Sequence, residues 1–227
     1  MGKARKVRWR STNIPKNVER WRGRYESFTP ARYSRLFEWS KRRFLRGINE
    51  NAKILEVGSG SGRLADFILR NSKCRPENYF MMDLAYKEKV PFLKSKIFKL
   101  IKEKKIGVLA QDLFNPKLKG KFDKIIIAES FFVPERFFKK ELRKSNLSGV
   151  HQEESDAFGL LKVIDLYLPL LNPKGELFLS NCLPPDLKFV GESLYQRKLL
   201  LKLYELKKKG IIQWEFPKHT FYLKKLK

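Results

Sequence analysis

The chain has 227 residues, and its 50 lysines and arginines against 24 aspartates and glutamates give a formal net charge of +26. This length suits one α/β domain, two cysteines do not make a disulfide framework, and Cys74, His151, Cys182 and His219 lack the spacing of metal ligands. No apolar stretch approaches the roughly 18 residues of a membrane span, and the first residues lack the apolar core of a secretory signal. We therefore expect a protein of a reducing, cytoplasmic compartment without a metal site, and the sequence does not indicate its oligomeric state.

The surplus of positive charge predicts a polyanionic partner. Thermophilic proteins also enrich lysine, but they do so together with glutamate to build ion-pair networks. Here the bases outnumber the acids about two to one, and residues 1–50 alone carry 15 basic and 4 acidic side chains. Nucleic acid is the simplest partner, and an anionic membrane surface is the alternative.

The N-terminal part of the chain differs in composition from the rest. Residues 1–28 are basic and polar, which predicts an irregular arm. The pair Thr29-Pro30 then predicts the start of an amphipathic helix with a basic outer face, which ends at Gly47. We divide the chain into a basic arm with a cap helix, residues 1–50, and one α/β domain, residues 51–227.

From residue 53 onward, short apolar runs alternate with helical patterns. The predicted strands span residues 53–58, 78–83, 106–110, 122–129 and 175–182. The predicted helices span residues 61–72, 87–104, 131–144, 156–171 and 191–209. Such alternation predicts a parallel sheet with helices on both faces. The chain ends with two strand-like runs, GIIQWEF and KHTFYLKKL. The connection between them is so short that they can pair only antiparallel. We therefore expect a seven-stranded, mostly parallel sheet with an antiparallel C-terminal hairpin.

The segment KILEVGSGSGRLADF, residues 53–67, joins the first predicted strand to the first predicted helix through three alternate glycines, Gly58, Gly60 and Gly62. A tight strand-to-helix connection is one explanation. The spacing does not match the G-x-G-x-x-G of dinucleotide-binding proteins, because Arg63 stands where that motif needs glycine. It does not match a phosphate-binding P-loop either, because no Gly-Lys-Ser/Thr follows. The loop thus favours close approach of a ligand that has no pyrophosphate.

Acidic residues follow the next two predicted strands. Asp83 ends the second strand, where a carboxylate can accept both hydroxyl groups of a ribose. Asp112 follows the third strand and precedes Leu113 and Phe114, a combination that suits the edge and the faces of an adenine. Together with the glycine loop, these residues predict a nucleoside ligand.

Five motifs stand in the order and at the spacing of a known family. They are LEVGSGSG, MMDLA, AQDLF, FDKIIIAES and LLNPKGELFLSN, which cover residues 53–182. In these motifs the chain resembles the class I methyltransferases that depend on S-adenosylmethionine (SAM), and the C-terminal hairpin extends the resemblance to residue 227. The resemblance implies a Rossmann-like fold, SAM as the cofactor and methyl transfer as the activity.

The resemblance also implies a role for each residue of the cofactor site. Asp83 would hold the ribose, Asp112 and Leu113 the adenine edge, and Leu84 would pack on the adenine face. Glu56 would accept a hydrogen bond from the amino group of the methionine part, although an acid that only caps the following loop is the alternative. The residues implied to line the methionine part are Glu56, Gly58, Ser59, Gly60 and Gly62.

The segment after the fourth predicted strand, AESFFVPERFFKKELRKSN, normally reports on the methyl acceptor. It lacks the Asn/Asp-Pro-Pro-aromatic motif of enzymes that methylate exocyclic amines, and no Pro-Cys nucleophile is present, since Cys182 lies in a strand-like run. Glu129 ends the fourth strand and is the candidate for orienting or deprotonating the acceptor, with a plain strand-end acid as the alternative. His151 is a second candidate base.

Charge and resemblance together predict a SAM-dependent methyltransferase that acts on RNA, either tRNA or rRNA. One alternative is a methyltransferase of a protein or small molecule. Another is an inactive RNA-binding module that keeps the fold. The sequence leaves the acceptor atom open.

Overall fold

The computed structural model describes residues 44–60, 62–83, 86, 95–103, 105–127, 152–180, 194–216 and 220–227. The predicted arm, most of the predicted cap helix and the predicted helix at 131–144 lie outside the described residues. So do four residues singled out in the sequence, namely Leu84, Glu129, His151 and Cys182.

A seven-stranded mixed sheet organises the fold. Its strands are β1 (Ile54–Val57), β2 (Tyr79–Met82), β3 (Gly107–Leu109), β4 (Phe122–Ile127), β5 (Leu171–Ser180), β6 (Ile212–Glu215) and β7 (Thr220–Lys225). Their order in the sheet is β3-β2-β1-β4-β5-β7-β6. Strands β1 to β5 are parallel, whereas β7 pairs antiparallel with both β5 and β6. The predicted fold class is therefore confirmed, including the antiparallel hairpin.

Helices cover both faces of the sheet, as predicted. They are α1 (Arg63–Asn71), α2 (Ser95–Lys102), α3 (Gln152–Tyr167) and α4 (Leu194–Lys208). Ile68 of α1 and Ile97 of α2 belong to the apolar cluster on one face, and Val163 of α3 and Leu203 of α4 belong to the cluster on the other. None of these helices is long and apolar enough to cross a membrane, in the part of the chain that the structure describes.

Strand β1 shows how the two faces are built. All four of its residues are buried, as expected for a central parallel strand that is covered on both sides. Leu55 and Val57 point toward the cluster with α3 and α4, and Ile54 points toward the cluster with α1 and α2. Side chains alternate along a strand, so Glu56 lies on the α1 side. A buried acid is thereby placed beneath the start of α1.

Strand β5 begins earlier than predicted. The predicted strand starts at residue 175, after the turn-forming sequence Asn-Pro-Lys of residues 172–174, yet Leu171 already pairs with Phe122. The register then shifts, because the next pair joins Lys124 to Glu176, and Lys174 has a positive φ of 65°. The turn is therefore an irregularity within the strand rather than its boundary, and pairing across the sheet decides where the strand starts.

The last turn of the predicted cap helix lies against the sheet. Phe44 is buried, and the Lys124 ammonium donates to the backbone oxygens of Phe44 at 3.1 Å and of Arg46 at 2.7 Å. The same ammonium is 2.9 Å from the Glu176 carboxylate, which also accepts a 2.9 Å hydrogen bond from the Tyr222 hydroxyl. A buried ion pair thus anchors the chain entering the domain, while the predicted domain boundary at residue 50 stays a prediction.

Candidate functional site

The glycine loop connects β1 to α1 at the carboxyl edge of the sheet. Gly58, Gly60 and Gly62 have φ values of 70°, 45° and 72°. This left-handed region costs other L-residues about 1–2 kcal/mol each, which explains three glycines at alternate positions. A Cβ atom at Gly62 would lie 3.0 Å from Met81 Cε and 3.1 Å from Ile97 Cγ2. Gly62 therefore also lets α1 begin close to β2 and α2.

Hydrogen bonds join this loop to the end of β2. The Met82 carbonyl accepts from the backbone N–H of Gly58 at 2.7 Å and of Ser59 at 3.2 Å. The N–H of Gly60 donates to Asp83 Oδ2 at 2.9 Å. These bonds form because β1 and β2 are neighbours and end at the same edge. The predicted ribose-binding acid is thus held directly beside the glycine loop.

Tyr86 is a residue of this site that sequence reasoning missed. Its side chain is 2% exposed, and its hydroxyl donates to the Gly60 carbonyl at 2.9 Å. The same hydroxyl is 2.9 Å from Ser59 Oγ. Either hydroxyl can donate in this second contact, because the Ser59 hydroxyl can also donate to the Met82 carbonyl at 3.3 Å. The available signal in the sequence was an aromatic residue three positions after Asp83. In the structure, the hydroxyl of this tyrosine holds the conformation of the glycine loop through its contacts with Ser59 and Gly60.

Glu56 is almost completely buried at the end of β1, with 2% exposure. The Tyr79 hydroxyl donates to its Oε2 atom at 2.7 Å, and the backbone N–H of Ala65 in the first turn of α1 also bonds to it. Burial raises the pKa of Glu56 to about 8; the bonds to Tyr79 and Ala65 oppose this effect, and the neighbouring Asp83 charge adds to it. The bond to Ala65 ties Glu56 to the start of α1, and its carboxyl group lies within electrostatic reach of Asp83, so both predicted roles of Glu56 stay predictions.

Asp112 and Leu113 lie in the connection that follows β3. Asp112 Oδ1 accepts a 2.8 Å hydrogen bond from the backbone N–H of Phe114, which closes a local turn. The Leu113 carbonyl accepts a 2.9 Å hydrogen bond from the Tyr167 hydroxyl, and burial raises the pKa of that hydroxyl above its usual range. This turn is thereby fixed to α3, and β3 places it next to the end of β2.

The described residues thus bring most of the predicted site together. Glu56, the glycines and Asp83 meet at the ends of β1 and β2, and Asp112 with Leu113 follows the next strand. The strand order changes direction between β1 and β4, because β2 and β3 lie on one side of β1 whereas β4 and β5 lie on the other. Open α/β sheets bind ligands at such a topological switch point. No three histidine, cysteine or acidic side chains are grouped for a metal ion within the described ranges. Two carboxyl groups beside the glycine loop suit a ligand with hydroxyl and cationic groups.

Solved structures with a similar fold include several methyltransferases. A proposed rRNA methylase from Clostridium thermocellum is 12% identical, with a TM-score of 0.50 over 84% of this chain and 97% of that chain. A proposed SAM-dependent methyltransferase from Methanococcus maripaludis is 14% identical, with a TM-score of 0.49 over 96% and 97%. A proposed methyltransferase from Streptococcus mutans, solved with S-adenosylhomocysteine, is 13% identical, with a TM-score of 0.48 over 84% and 97%. No family model and no curated protein matches the sequence. At these identities, the similarity is one of fold.

Proposed function

We propose that this chain, which has the Rossmann-like fold of the class I SAM-dependent methyltransferases, binds SAM at the glycine loop and methylates RNA. The observation that carries the cofactor is the 2.9 Å hydrogen bond from the Gly60 amide to Asp83 Oδ2. It fixes a carboxylate beside the glycine loop, in which Gly58 is partly exposed while Gly60 and Gly62 are buried. SAM combines a ribose, an adenine and a cationic amino acid part, which are the groups that such a site can bind.

The charges of the site support a cationic ligand. Glu56 and Asp83 lie close enough for the Asp83 charge to raise the Glu56 pKa. Because its pKa is about 8, Glu56 is protonated at neutral pH in the free protein, and the ammonium and sulfonium groups of SAM would favour its ionised form beside Asp83. In this assignment Glu56 holds the amino group, Asp83 the ribose hydroxyls, and Asp112 with Leu113 the adenine, against which Leu84 packs. The remaining contacts to the methionine part come from Gly58, Ser59, Gly60 and Gly62.

When bound, SAM supplies a methyl group on a sulfonium, so that the C–S bond breaks as the bond to the acceptor atom forms. The work left to the protein is to align the acceptor with the methyl carbon and to exclude water. Strand β4 ends at Ile127, which pairs with Val57 directly before the glycine loop. We assign Glu129, two residues further on, to orient the acceptor or to take up the proton that it releases.

The charge of the chain supports RNA as the substrate. A net charge of +26 exceeds what pairing with 24 acids can neutralise, and phosphate groups are the simplest partner for the remainder. We assign residues 1–50 as a basic arm and cap helix that contact the substrate, and residues 51–227 as the methyltransferase domain. Cys74 is a free thiol, which suits a reducing, cytoplasmic compartment.

Two measurements test the proposal. Calorimetry should detect SAM binding to the full chain, and tritiated SAM should label total RNA but not a protein extract or a pool of small metabolites. Label in the protein extract or in the metabolites would favour the alternative substrates. SAM binding without any transfer would indicate an inactive module, and a chain that does not bind SAM would refute the cofactor assignment.

A matched pair of variants at Asp83 links affinity to the geometry. Asp83→Ala removes the charge and the acceptor for the Gly60 amide, so SAM affinity should fall by 1.5–3 kcal/mol, about 10- to 150-fold. Asp83→Asn keeps an oxygen that can accept from Gly60, so it should lose less. Equal affinities for the alanine variant and the wild type, measured by calorimetry, would place the cofactor elsewhere.

A further inference from the structure

Helix α4 carries a narrow exposed stripe that the proposed active site does not use. Leu201 and Tyr204 are 62% and 56% exposed, and they are the large apolar side chains that stand out on the surface of the described residues. Arg197 and Lys208 are exposed as well. These positions are spaced i, i+4, i+7 and i+11, which places all four on one line along the helix. We call this line the α4 stripe.

Packing of the domain does not explain the α4 stripe. Helix α4 is held to the sheet by its opposite face, where Tyr195, Leu199 and Leu203 are buried in the apolar cluster with α3. Arg197 lies in the first turn, where a positive charge opposes the helix dipole, and that turn contains no acid. More than half of the Leu201 and Tyr204 side chains is exposed, so the stripe adds little buried surface to α4, and its arginine weakens the helix rather than stabilising it.

The aromatic ring in the stripe is fixed in place. The Tyr204 ring makes an edge contact with Trp214 of β6, with 5.7 Å between centroids and 80° between planes. Trp214 makes a similar contact with Phe216 at 5.8 Å. A ring that is half exposed and already ordered loses little conformational entropy when a flat partner stacks on it. Unpaired nucleobases are such partners.

The charges around the stripe select among possible partners. Lys198 and Lys207 are exposed on the same helix, and Glu205 of the helix is paired with Lys209, which directly follows it. A second copy of the chain would bring these cations against each other, and two apolar side chains are too few for an amphipathic membrane helix. A polyanion with flat apolar groups fits both the charge and the ring. Single-stranded RNA has these properties.

We propose that the α4 stripe is a docking surface for single-stranded RNA. Arg197 and Lys208, separated by about 16 Å of helix axis, contact phosphates, while a base stacks on Tyr204 and packs against Leu201. Strand β6 is parallel to β5, because β7 pairs antiparallel with both strands. Helix α4 ends shortly before β6 begins, so the Arg197 end of the helix points toward the carboxyl ends of the parallel strands, where the glycine loop lies. The inference rests on the proposed function, because it names the surface that would guide RNA toward that edge.

RNA-binding measurements on the full chain test this surface. The probe is a fluorescein-labelled single-stranded RNA of about 20 nucleotides, followed by fluorescence anisotropy over a series of salt concentrations. Tyr204→Ala should weaken binding about tenfold, within the range measured for loss of one stacked base, and Tyr204→Phe should restore it. Arg197→Glu with Lys208→Glu should weaken binding at least tenfold. It should also reduce the slope of log affinity against log salt concentration by about 1.4, which corresponds to two phosphate contacts.

The matched control changes the same number of charges on the other face of the sheet. Lys99→Glu with Lys102→Glu alters two exposed lysines of α2, so it tests the effect of net charge without touching the stripe. It should weaken RNA binding less than the stripe pair does. If the stripe pair and the control lose the same affinity, or if Tyr204→Ala binds like the wild type while its circular dichroism is unchanged, the inference is wrong.

Further outcomes separate this inference from the proposed function. Wild-type protein that binds SAM and methylates RNA, with stripe variants that bind RNA normally, overturns the docking surface alone. Wild-type protein that does not bind the RNA probe overturns the docking surface and the choice of RNA, whereas its SAM affinity still tests the cofactor. Binding to vesicles of phosphatidylglycerol and phosphatidylcholine that the stripe pair abolishes, without a change in RNA affinity, would assign the stripe to membranes instead.

Discussion

Glu56 is a buried carboxyl group whose pKa is strongly raised. Its pKa is raised from 4.5 to about 8, so the folded state keeps a proton that the unfolded state releases near pH 4.5. The protonated carboxyl therefore contributes stability fully below about pH 4.5, and this contribution is lost as the pH rises toward 8. Above pH 8, both states are ionised and the penalty for the buried charge is complete.

This linkage predicts how Glu56→Gln changes stability with pH. Glutamine has no proton to lose. The free energy of unfolding of the variant, relative to that of the wild type, should therefore rise by a few kcal/mol from pH 5 to pH 9. Urea unfolding at pH 5, 7 and 9 measures the difference. Tyr79→Phe serves as a control, because it removes a hydrogen bond that lowers the Glu56 pKa. In this variant, the loss of stability that accompanies ionisation of Glu56 should occur at higher pH. A difference between Glu56→Gln and wild type that is independent of pH would contradict the raised pKa.

Gly60 is the residue where loop geometry and ligand access can be separated by experiment. Gly60→Ala introduces a Cβ at a φ of 45°, and the same change at Gly210 introduces one at a φ of 63°. The turn at Gly210 has room, because the Cβ would lie 3.6 Å from Lys227 Nζ. Both variants should lose about 1–2 kcal/mol of stability from backbone strain, but only Gly60→Ala should lose SAM affinity, by more than tenfold. Calorimetry that shows equal SAM affinity in both variants would exclude the glycine loop as the cofactor site.

The predictable part of the site consists of residues whose chemistry is visible one at a time. Glycines at alternate positions and acids at strand ends can be recognised from the sequence alone. The structure brings two such residues, Gly60 and Asp83, together. Tyr79 and Tyr86 could not be predicted in the same way, because a tyrosine within or after an apolar run is equally typical of a core. Their function depends on which backbone or carboxyl group the fold places opposite their hydroxyl, and that is a property of long-range pairing.

Among the elements, β4, β5 and β7 share one unusual feature in the centre of the sheet. Lys124 of β4 is 4% exposed and binds the Glu176 carboxylate of β5, which also accepts a hydrogen bond from Tyr222 of β7. Burial lowers the pKa of Lys124, and the Glu176 charge opposes this shift. The ammonium in turn satisfies the carbonyls of Phe44 and Arg46, where the N-terminal segment joins the sheet.

Breaking this network should be costly. Lys124→Met leaves the Glu176 carboxylate without its cation and should reduce the free energy of unfolding by about 3–5 kcal/mol. Lys124→Met combined with Glu176→Gln removes the charge that was left behind and should regain part of that loss, which urea unfolding of the single and double variants measures. Additive losses in the double variant would show that the two side chains do not stabilise each other.

Element boundaries followed from the sequence where one local signal dominated and failed where pairing across the sheet competed with it. The hairpin of β6 and β7 was predictable, because the short connection at Pro217 allows only antiparallel pairing. The start of β5 was not, because Pro173 and Gly175 indicate a turn, while Leu171 before them already pairs with Phe122. A turn inside a strand can be recognised only when the partner strand is known.

In the molecule as a whole, the charges at the candidate site and on the surface have opposite signs. The candidate site contains the carboxyl groups of Glu56 and Asp83, while the chain as a whole carries a surplus of 26 positive charges. Residues 1–50 contribute 15 of the basic side chains and interleave them with aromatic residues. Such a mixture suits phosphate neutralisation together with stacking on unpaired bases, and aromatics that only hold the arm to the domain are the alternative.

The salt dependence of RNA binding distinguishes these two functions of the arm. If several side chains of the arm contact phosphates, the logarithm of the RNA affinity should fall with the logarithm of salt concentration by about 0.7–0.9 per contact. Deletion of residues 1–28 should then flatten this slope by a few units and leave SAM affinity unchanged. The deletion ends before the segment at Phe44 that Lys124 anchors, so the contact with the sheet is kept.

Anisotropy titrations of the full chain and the truncated chain, with the same labelled RNA, measure both slopes, and calorimetry measures SAM binding. A variant with Arg8, Arg10, Arg20 and Arg22 replaced by glutamine keeps the length and the aromatic residues of the arm, and it should reproduce most of the lost slope. Truncation with no change in affinity or slope would refute the contact between the arm and RNA. Truncation that also weakens SAM binding, while the glutamine variant does not, would instead show that the aromatic residues of the arm hold the cofactor site in place.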